Sequence, residues 1–123
     1  MYDLGFYDNI IKGDGILYYI YMLRCVDDTI YTGITSDVER RMDEHFSKSK
    51  KCAKYTRSHT PLKIEAVWES ENKSFAATFE FYVKRLTKTK KEELISDNKL
   101  SLLENKINID VYKRIEKYNG YCK

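Results

Sequence analysis

The stretch from Tyr18 to His45 reads YYIYMLRCVDDTIYTGITSDVERRMDEH, and its punctuation decides the fold. Leu17 to Arg24 is rich in Tyr, Ile and Leu and reads as a strand. Val26-Asp27-Asp28 is a polar turn, and Thr29 to Ile34 reads as a second strand. The two form a hairpin whose loop parity has consequences. A loop with an odd residue count sets Leu23 opposite Tyr31 and Tyr21 opposite Gly33, placing both tyrosines on one side of the sheet. An even loop puts them on opposite sides. The missing side chain at Gly33 leaves open space beside Tyr21.

A helix should follow at once. Ser36 and Glu39 have the spacing of a reciprocal cap, and Val38, Met42 and Phe46 recur on one buried stripe. Arg41 and His45, one turn apart, are neighbours on a flank of that stripe, while Arg40 and Glu44 point elsewhere. Further along, Ser47 to Thr60 reads as a polar, basic loop ended by Pro61. Leu62 to Glu69 reads as a third strand with Trp68 as a core anchor. Ser74 caps a second helix that turns Phe75, Phe79, Tyr82, Val83 and Leu86 inward. Thr89 opens a third that runs to about Ile95. Leu100, Leu103, Ile107, Val111, Ile115 and Tyr118 have helical spacing before Gly120, which predicts an added C-terminal helix.

The order strand, strand, helix, strand, helix, helix predicts an α/β (α+β) fold with a small three-stranded sheet flanked by helices. The chain divides into an N-terminal extension over 1–15, a domain over 16–96 and a C-terminal helical extension over 97–123.

At 123 residues with 33% charged side chains, the chain fits one soluble domain. It holds no apolar run near the ~20 residues of a membrane span. Met1 to Asp14 lacks a signal-peptide pattern, which predicts a cytoplasmic protein. Three scattered cysteines suggest reduced thiols in place of a disulfide frame. His45, Cys52 and His59 lack the spacing of a zinc site. Net charge is only +3, but it is unevenly placed. Lys48, Lys50, Lys51, Lys54, Arg57 and Lys63 form one acid-free block, and Lys84, Arg85, Lys88, Lys90 and Lys91 another. Such blocks suit a polyanion partner.

Taken singly, Tyr21 and Tyr31 are ordinary strand aromatics, Arg41 a surface cation beside Asp37, and Glu80 one half of an exposed pair with Lys84. The ordered set says more. Tyr19-Ile20-Tyr21, Tyr31-Thr32-Gly33, the helix with Arg41 and His45, the run KYTRSHTPLKIEAVWE and the helix FAATFEFYVKRLTK with Glu80 together resemble the GIY-YIG nuclease superfamily. The resemblance covers roughly residues 17 to 95 and is to its small stand-alone branch. A leading glycine is replaced in the first tripeptide, and threonine stands in the middle of the second.

The resemblance implies the GIY-YIG endonuclease fold and divalent-metal-dependent cleavage of phosphodiester bonds in DNA, including structure-selective cutting in repair or recombination. It implies Tyr21, Tyr31, Arg41, His45 and Glu80 as catalytic residues, with Glu80 holding Mg²⁺ or Mn²⁺. Lys48, Lys50, Lys51, Lys54, Arg57, Lys84 and Lys88 are the candidate backbone contacts. Asn98 is not carried over to the asparagine some relatives use. The alternative is a non-catalytic nucleic-acid-binding module that works with a partner protein through the C-terminal segment.

Overall fold

The computed structural model describes residues 15–48 and 51–122. Residues 1–14 of the predicted extension lie outside the described residues, as does Lys50. The elements are β1 (Tyr18–Cys25), β2 (Ile30–Thr35), α1 (Val38–Phe46), α2 (Lys54–Ser58), β3 (Pro61–Ser70), α3 (Lys73–Val83), α4 (Lys88–Asp97) and β4 (Lys113–Arg114). Short 3₁₀ turns at Leu100–Leu103, Ile109–Val111 and Glu116–Tyr118 complete the chain. The sheet has four strands in the order β2-β1-β3-β4, where the sequence predicts three. No described helix is long and apolar enough to cross a membrane.

The β1–β2 hairpin closes through the odd loop. Cys25 N–H donates to the Thr29 carbonyl at 2.9 Å, and the Asp27 carboxylate accepts from both the amide and the hydroxyl of Thr29. Asp28 takes a left-handed φ of 68°, which aspartate tolerates better than bulky residues. The register therefore sets Leu23 against Tyr31 and Tyr21 against Gly33. Tyr21, Leu23 and Tyr31 share the face that packs on Val38 and Met42 of α1. Ile20 and Met22 take the other face, with Phe79 and Val83 of α3 and Leu94 of α4.

β3 is covered on both sides, so Ala66, Val67 and Trp68 are all buried in succession. A register shift between Met22 and Leu23 leaves Glu65 as the extra residue and lets Ile64 join Val67 on the Tyr21 face. Trp68 is the anchor its position predicts: it is fully buried, packs on Phe79 at 5.1 Å and donates from Nε1 to Asn98 Oδ1 at 2.9 Å. Asn98 is thus a structural residue, the left-handed cap of α4 at φ 49°.

Helix starts differ from the sequence reading by a residue or two. Asp37, not Ser36, caps α1, accepting from the Arg40 amide at 3.1 Å. A carboxylate there also suits the helix dipole. Asn72, not Ser74, caps α3, and Thr87, not Thr89, caps α4. The capping side chain lies one residue after the expected one in α1 and two residues before it in α3 and α4.

The C-terminal segment departs most from expectation. Its apolar residues do repeat at helical spacing, but the chain forms 3₁₀ turns and a short strand instead of an α-helix. β4 pairs with β3. Beyond it the Ile115 amide donates to the Val67 carbonyl at 2.8 Å, and the Gly120 amide to the Ile64 carbonyl at 2.8 Å. The segment thereby satisfies the outer edge of β3, and β2 is the edge strand at the opposite side.

One charged cluster ties the layers together. Arg24, at the end of the first apolar run, is nearly buried at 12% side-chain exposure. It forks onto both oxygens of Glu92 at 2.6 Å and reaches Glu65 at 2.7 Å and Asp28 at 3.0 Å. It joins β1, the hairpin turn and the β3 bulge to α4.

Candidate active site

Tyr21 is 1% exposed, and its phenol lies directly over Gly33. A Cβ on Gly33 would stand 2.5 Å from the Tyr21 hydroxyl, 2.6 Å from Cζ and 3.0 Å from a carbon of Tyr31. The glycine is there for space and not for a left-handed backbone. Gly33→Ala should therefore displace the phenol and cost about 1–3 kcal/mol, read from the urea midpoint. A variant of unchanged stability would show that the Tyr21 ring moves aside freely.

Three other groups converge on Tyr21. Its hydroxyl lies 2.8 Å from Nε2 of His45, which is fully buried, and Arg41 Nε donates to it at 3.3 Å. The Tyr31 ring centroid lies 6.1 Å from that of Tyr21 and 5.6 Å from that of His45. Arg41 is held from behind as well: Nη1 donates to Glu44 Oε1 at 2.7 Å and to the Lys51 carbonyl at 2.6 Å. Glu44 does not point elsewhere, as its helical position suggests; it bonds both Arg40 and Arg41.

Burial governs the titration of this group. It pushes the Tyr21 phenol well above its ordinary value, the Tyr31 phenol adds to the rise, and Arg41 opposes it without winning. Desolvation thus outweighs the neighbouring cation. Burial, then the Arg41 charge, lowers His45 to about 4, with Glu44 opposing. At neutral pH the pair is a neutral phenol and a neutral imidazole. Since the folded His45 binds its proton less readily than an unfolded histidine at ~6.5, its contribution to stability is complete above that pH. It is lost as pH falls toward 4, at about 1 kcal/mol per pH unit. Arg41, Glu44, Tyr21 and Tyr31 face His45. Urea midpoints between pH 6.5 and 4 should fall more steeply for the wild type than for His45→Gln; equal slopes would place the titration elsewhere.

Glu80 arrives from the other face of the sheet. α3 packs across β1 and β2, with Ala76, Phe79 and Val83 inward and Glu80 beside them at 22% side-chain exposure. Its carboxylate pairs with Lys84 Nζ at 3.2 Å, and Lys84 stands 5.7 Å from the Tyr31 ring centroid. Lys84 thus touches both Glu80 and the Tyr31 ring. No group of three His, Cys, Asp or Glu suited to a metal occurs among the described residues. One partly exposed carboxylate still fits an octahedral, largely hydrated Mg²⁺ or Mn²⁺, which takes one or two protein carboxylates and completes its shell with water and phosphate.

The candidate backbone contacts are spread over the surface. Lys48 donates to the Thr60 hydroxyl at 2.9 Å, and Lys88 to Asp28 at 2.7 Å at the hairpin end. Lys54 and Arg57 are exposed on α2. Lys51 contributes its carbonyl to Arg41, and Lys84 borders Tyr31.

Sequence reading missed α2 entirely, treating 47–60 as a loop. Tyr55 stacks on Tyr31 at 5.5 Å and on His59 at 4.1 Å, and His59 bonds Asp27 at 2.6 Å. Thr56 is fully buried against His45 Nδ1 at 2.8 Å. The i, i+4 spacing of Tyr55 and His59 was the available signal. A five-residue helix gives no fuller periodicity.

The family model described as the GIY-YIG catalytic domain matches residues 17–93. The chain belongs to the GIY-YIG family. Within it, the chain is similar to UPF0213 proteins, a small stand-alone GIY-YIG group. It is 44% identical over 98 residues to one from Fusobacterium nucleatum, covering 78% of this chain and 96% of that protein. It is 44% identical over 79 residues to one from Halalkalibacterium halodurans, covering 64% of this chain and 82% of that protein. The solution NMR structure of a Bacillus halodurans UPF0213 protein is 42% identical, with a TM-score of 0.43, and covers 65% of this chain and 83% of that one. In GIY-YIG terms, the two name-giving tripeptides are adjacent hairpin strands here, joined through Tyr21 over Gly33.

Proposed function

We propose that this protein is a divalent-metal-dependent endonuclease of the cytoplasm that hydrolyses phosphodiester bonds in DNA, with residues 16–96 as the catalytic unit. The observation that carries the reading is the hydrogen-bonded series Arg41–Tyr21–His45 beside Tyr31. It combines a fixed cation for phosphate with a route for a proton. As water attacks phosphorus, its proton passes to the Tyr21 oxygen while the Tyr21 proton passes to His45 Nε2. A new P–O bond forms, the bond to the leaving oxygen breaks, that oxygen takes up a proton from solvent water, and His45 later returns its proton to solvent through Tyr21. Neither a standing phenolate nor a protonated histidine is needed at the start, which fits the raised phenol and lowered imidazole. Arg41 neutralises charge gathering on the equatorial oxygens. Tyr31 orients the phosphate through its hydroxyl. Glu80 would hold the Mg²⁺ or Mn²⁺, which when bound withdraws charge from the phosphate.

DNA would lie along the edge at β2. α3 offers Lys84 beside Tyr31. Beyond the far end of β2 a cleft of about 320 Å³ is lined by Thr35, Ser36, Arg40, Arg41, Glu44 and Lys73, among others. Arg41 belongs to both the cleft and the Tyr21 cluster, so Arg40 and Lys73 extend the cationic track away from the reacting phosphate. Such contacts carry no sequence information, and cleavage should show little sequence preference.

The test is a nicking assay on duplex, single-stranded and branched DNA with Mg²⁺ or Mn²⁺ and with a chelator. Metal-dependent cutting of any of these supports the reading; binding without cutting on all of them sinks it. Arg40→Ala with Lys73→Ala should lower the slope of log affinity against log salt by roughly one to two, whereas Lys113→Ala on the opposite edge should leave it unchanged. An unchanged slope in the double variant would move the DNA path off this cleft.

A further inference from the structure

We propose that Thr56 is a positioning residue that fixes the tautomer of His45, so that Nε2 is bare and able to take the Tyr21 proton. The proposal rests on the proton route above and deepens it.

One hydrogen-bond chain runs through His45, and both of its ends have a fixed polarity. At one end stands Arg41, whose guanidinium can only donate; its Nε–H points at the Tyr21 oxygen at 3.3 Å. At the other end stands the Ala53 carbonyl, which can only accept, and the Thr56 hydroxyl lies 3.0 Å from it. Between these ends lie Tyr21 Oη to His45 Nε2 at 2.8 Å and His45 Nδ1 to Thr56 Oγ1 at 2.8 Å. Thr56 has one proton. Donating it to Ala53 leaves Oγ1 an acceptor, so His45 carries its proton on Nδ1 and Nε2 accepts from Tyr21. The reverse polarity faces the Thr56 oxygen against the Ala53 carbonyl with no proton between them. Both Thr56 and His45 are fully buried, so such a loss is not readily made good by solvent. Every donor in the chain therefore points one way, from Arg41 to Ala53.

Local structure makes this possible. α2 begins at Lys54 with Ala53 as its extended first cap, φ −64° and ψ 149°, and no side-chain cap bond. The Ala53 carbonyl is thus one turn before Thr56, within reach of its hydroxyl. Tyr55, the preceding residue, stacks on Tyr31 and His59 and holds α2 against the hairpin. When His45 receives the proton it becomes a double donor, and Thr56 continues to accept from Nδ1. The same hydroxyl serves before and after transfer.

Imidazole ¹⁵N shifts of His45 in the free protein test the assignment without any reference to cleavage. Wild type and Thr56→Ser should show a protonated Nδ1 and a bare Nε2 at pH 7. Thr56→Val, which keeps the shape and removes the hydroxyl, should lose that single tautomer. In the nicking assay Thr56→Val should reduce kcat by about 10–100-fold, with Thr56→Ser restoring it to within about threefold. If Thr56→Val fails to fold, the wild-type and Thr56→Ser shifts still decide the matter. A wild-type His45 with its proton on Nε2, or a Thr56→Val variant with unaltered tautomer and kcat, overturns the proposal. A wild type with the expected tautomer but no cutting of any DNA would instead count against the nuclease reading and leave the tautomer assignment standing.

Discussion

Arg41→Ala should lower cleavage by about 10³-fold or more while leaving a folded protein. Two losses combine in that figure. The guanidinium that faces the developing phosphate charge disappears, and so does the Nε–H that supports Tyr21 as its proton leaves. The fold is spared because Arg41 is 20% exposed and because its carboxylate partner Glu44 keeps Arg40 at 3.2 Å. Arg41→Lys should recover little, since a lysine supplies a point charge without the fork or the Nε–H. Single-turnover rates under saturating DNA, together with thermal melts, check both halves. A variant that melts like the wild type and cuts within about tenfold of it would remove Arg41 from the reaction.

Glu80→Ala should reduce metal-dependent cutting to the background of the assay while DNA affinity in a chelator is held or raised. Those two directions distinguish a metal ligand from a structural residue. Glu80 lies beside the buried stripe of α3 and is not part of it; Ala76, Phe79 and Val83 fill that role. Its carboxylate pairs with Lys84 at 3.2 Å, so the substitution removes a negative charge and leaves the ammonium beside Tyr31 to meet phosphate. Anisotropy titrations on the same DNA used for cutting supply the affinity. Metal-dependent cutting that survives in Glu80→Ala would assign the metal to other residues. Weaker binding together with a lowered melting point would make Glu80 a structural residue.

How much of this was readable beforehand differs from element to element. The hairpin was legible because parity is arithmetic: the turn Val26-Asp27-Asp28 has an odd length, and that alone places Tyr21 and Tyr31 on one face. Arg41 and His45 were legible as neighbours because one helical turn separates them. The residues that complete the site were not. Thr56 lies on a five-residue helix with no apolar period, and its importance comes from a hydroxyl that touches a ring eleven residues away. Arg24 looked like the polar end of a strand, and only the approach of α4 and the β3 bulge turned it into a buried fork on Glu92 and Glu65. The C-terminal segment misled by its spacing. Leu100, Leu103, Ile107 and Val111 do recur at helical spacing and pack on the core, but the chain beyond them pairs with the edge of β3, which a separate helix would have left open.

By itself, then, the chain's order of residues determined the hairpin register, the faces of its strands and the helices that carry Arg41, His45 and Glu80, because each of these depends on spacing between near neighbours. Tertiary structure alone decided that Lys84 stands between Glu80 and the Tyr31 ring, that Thr56 closes the hydrogen-bond chain, and that burial holds both Tyr21 and His45 in their neutral forms. Desolvation and contacts between distant segments depend on what the rest of the molecule excludes from a site, and no local pattern records that.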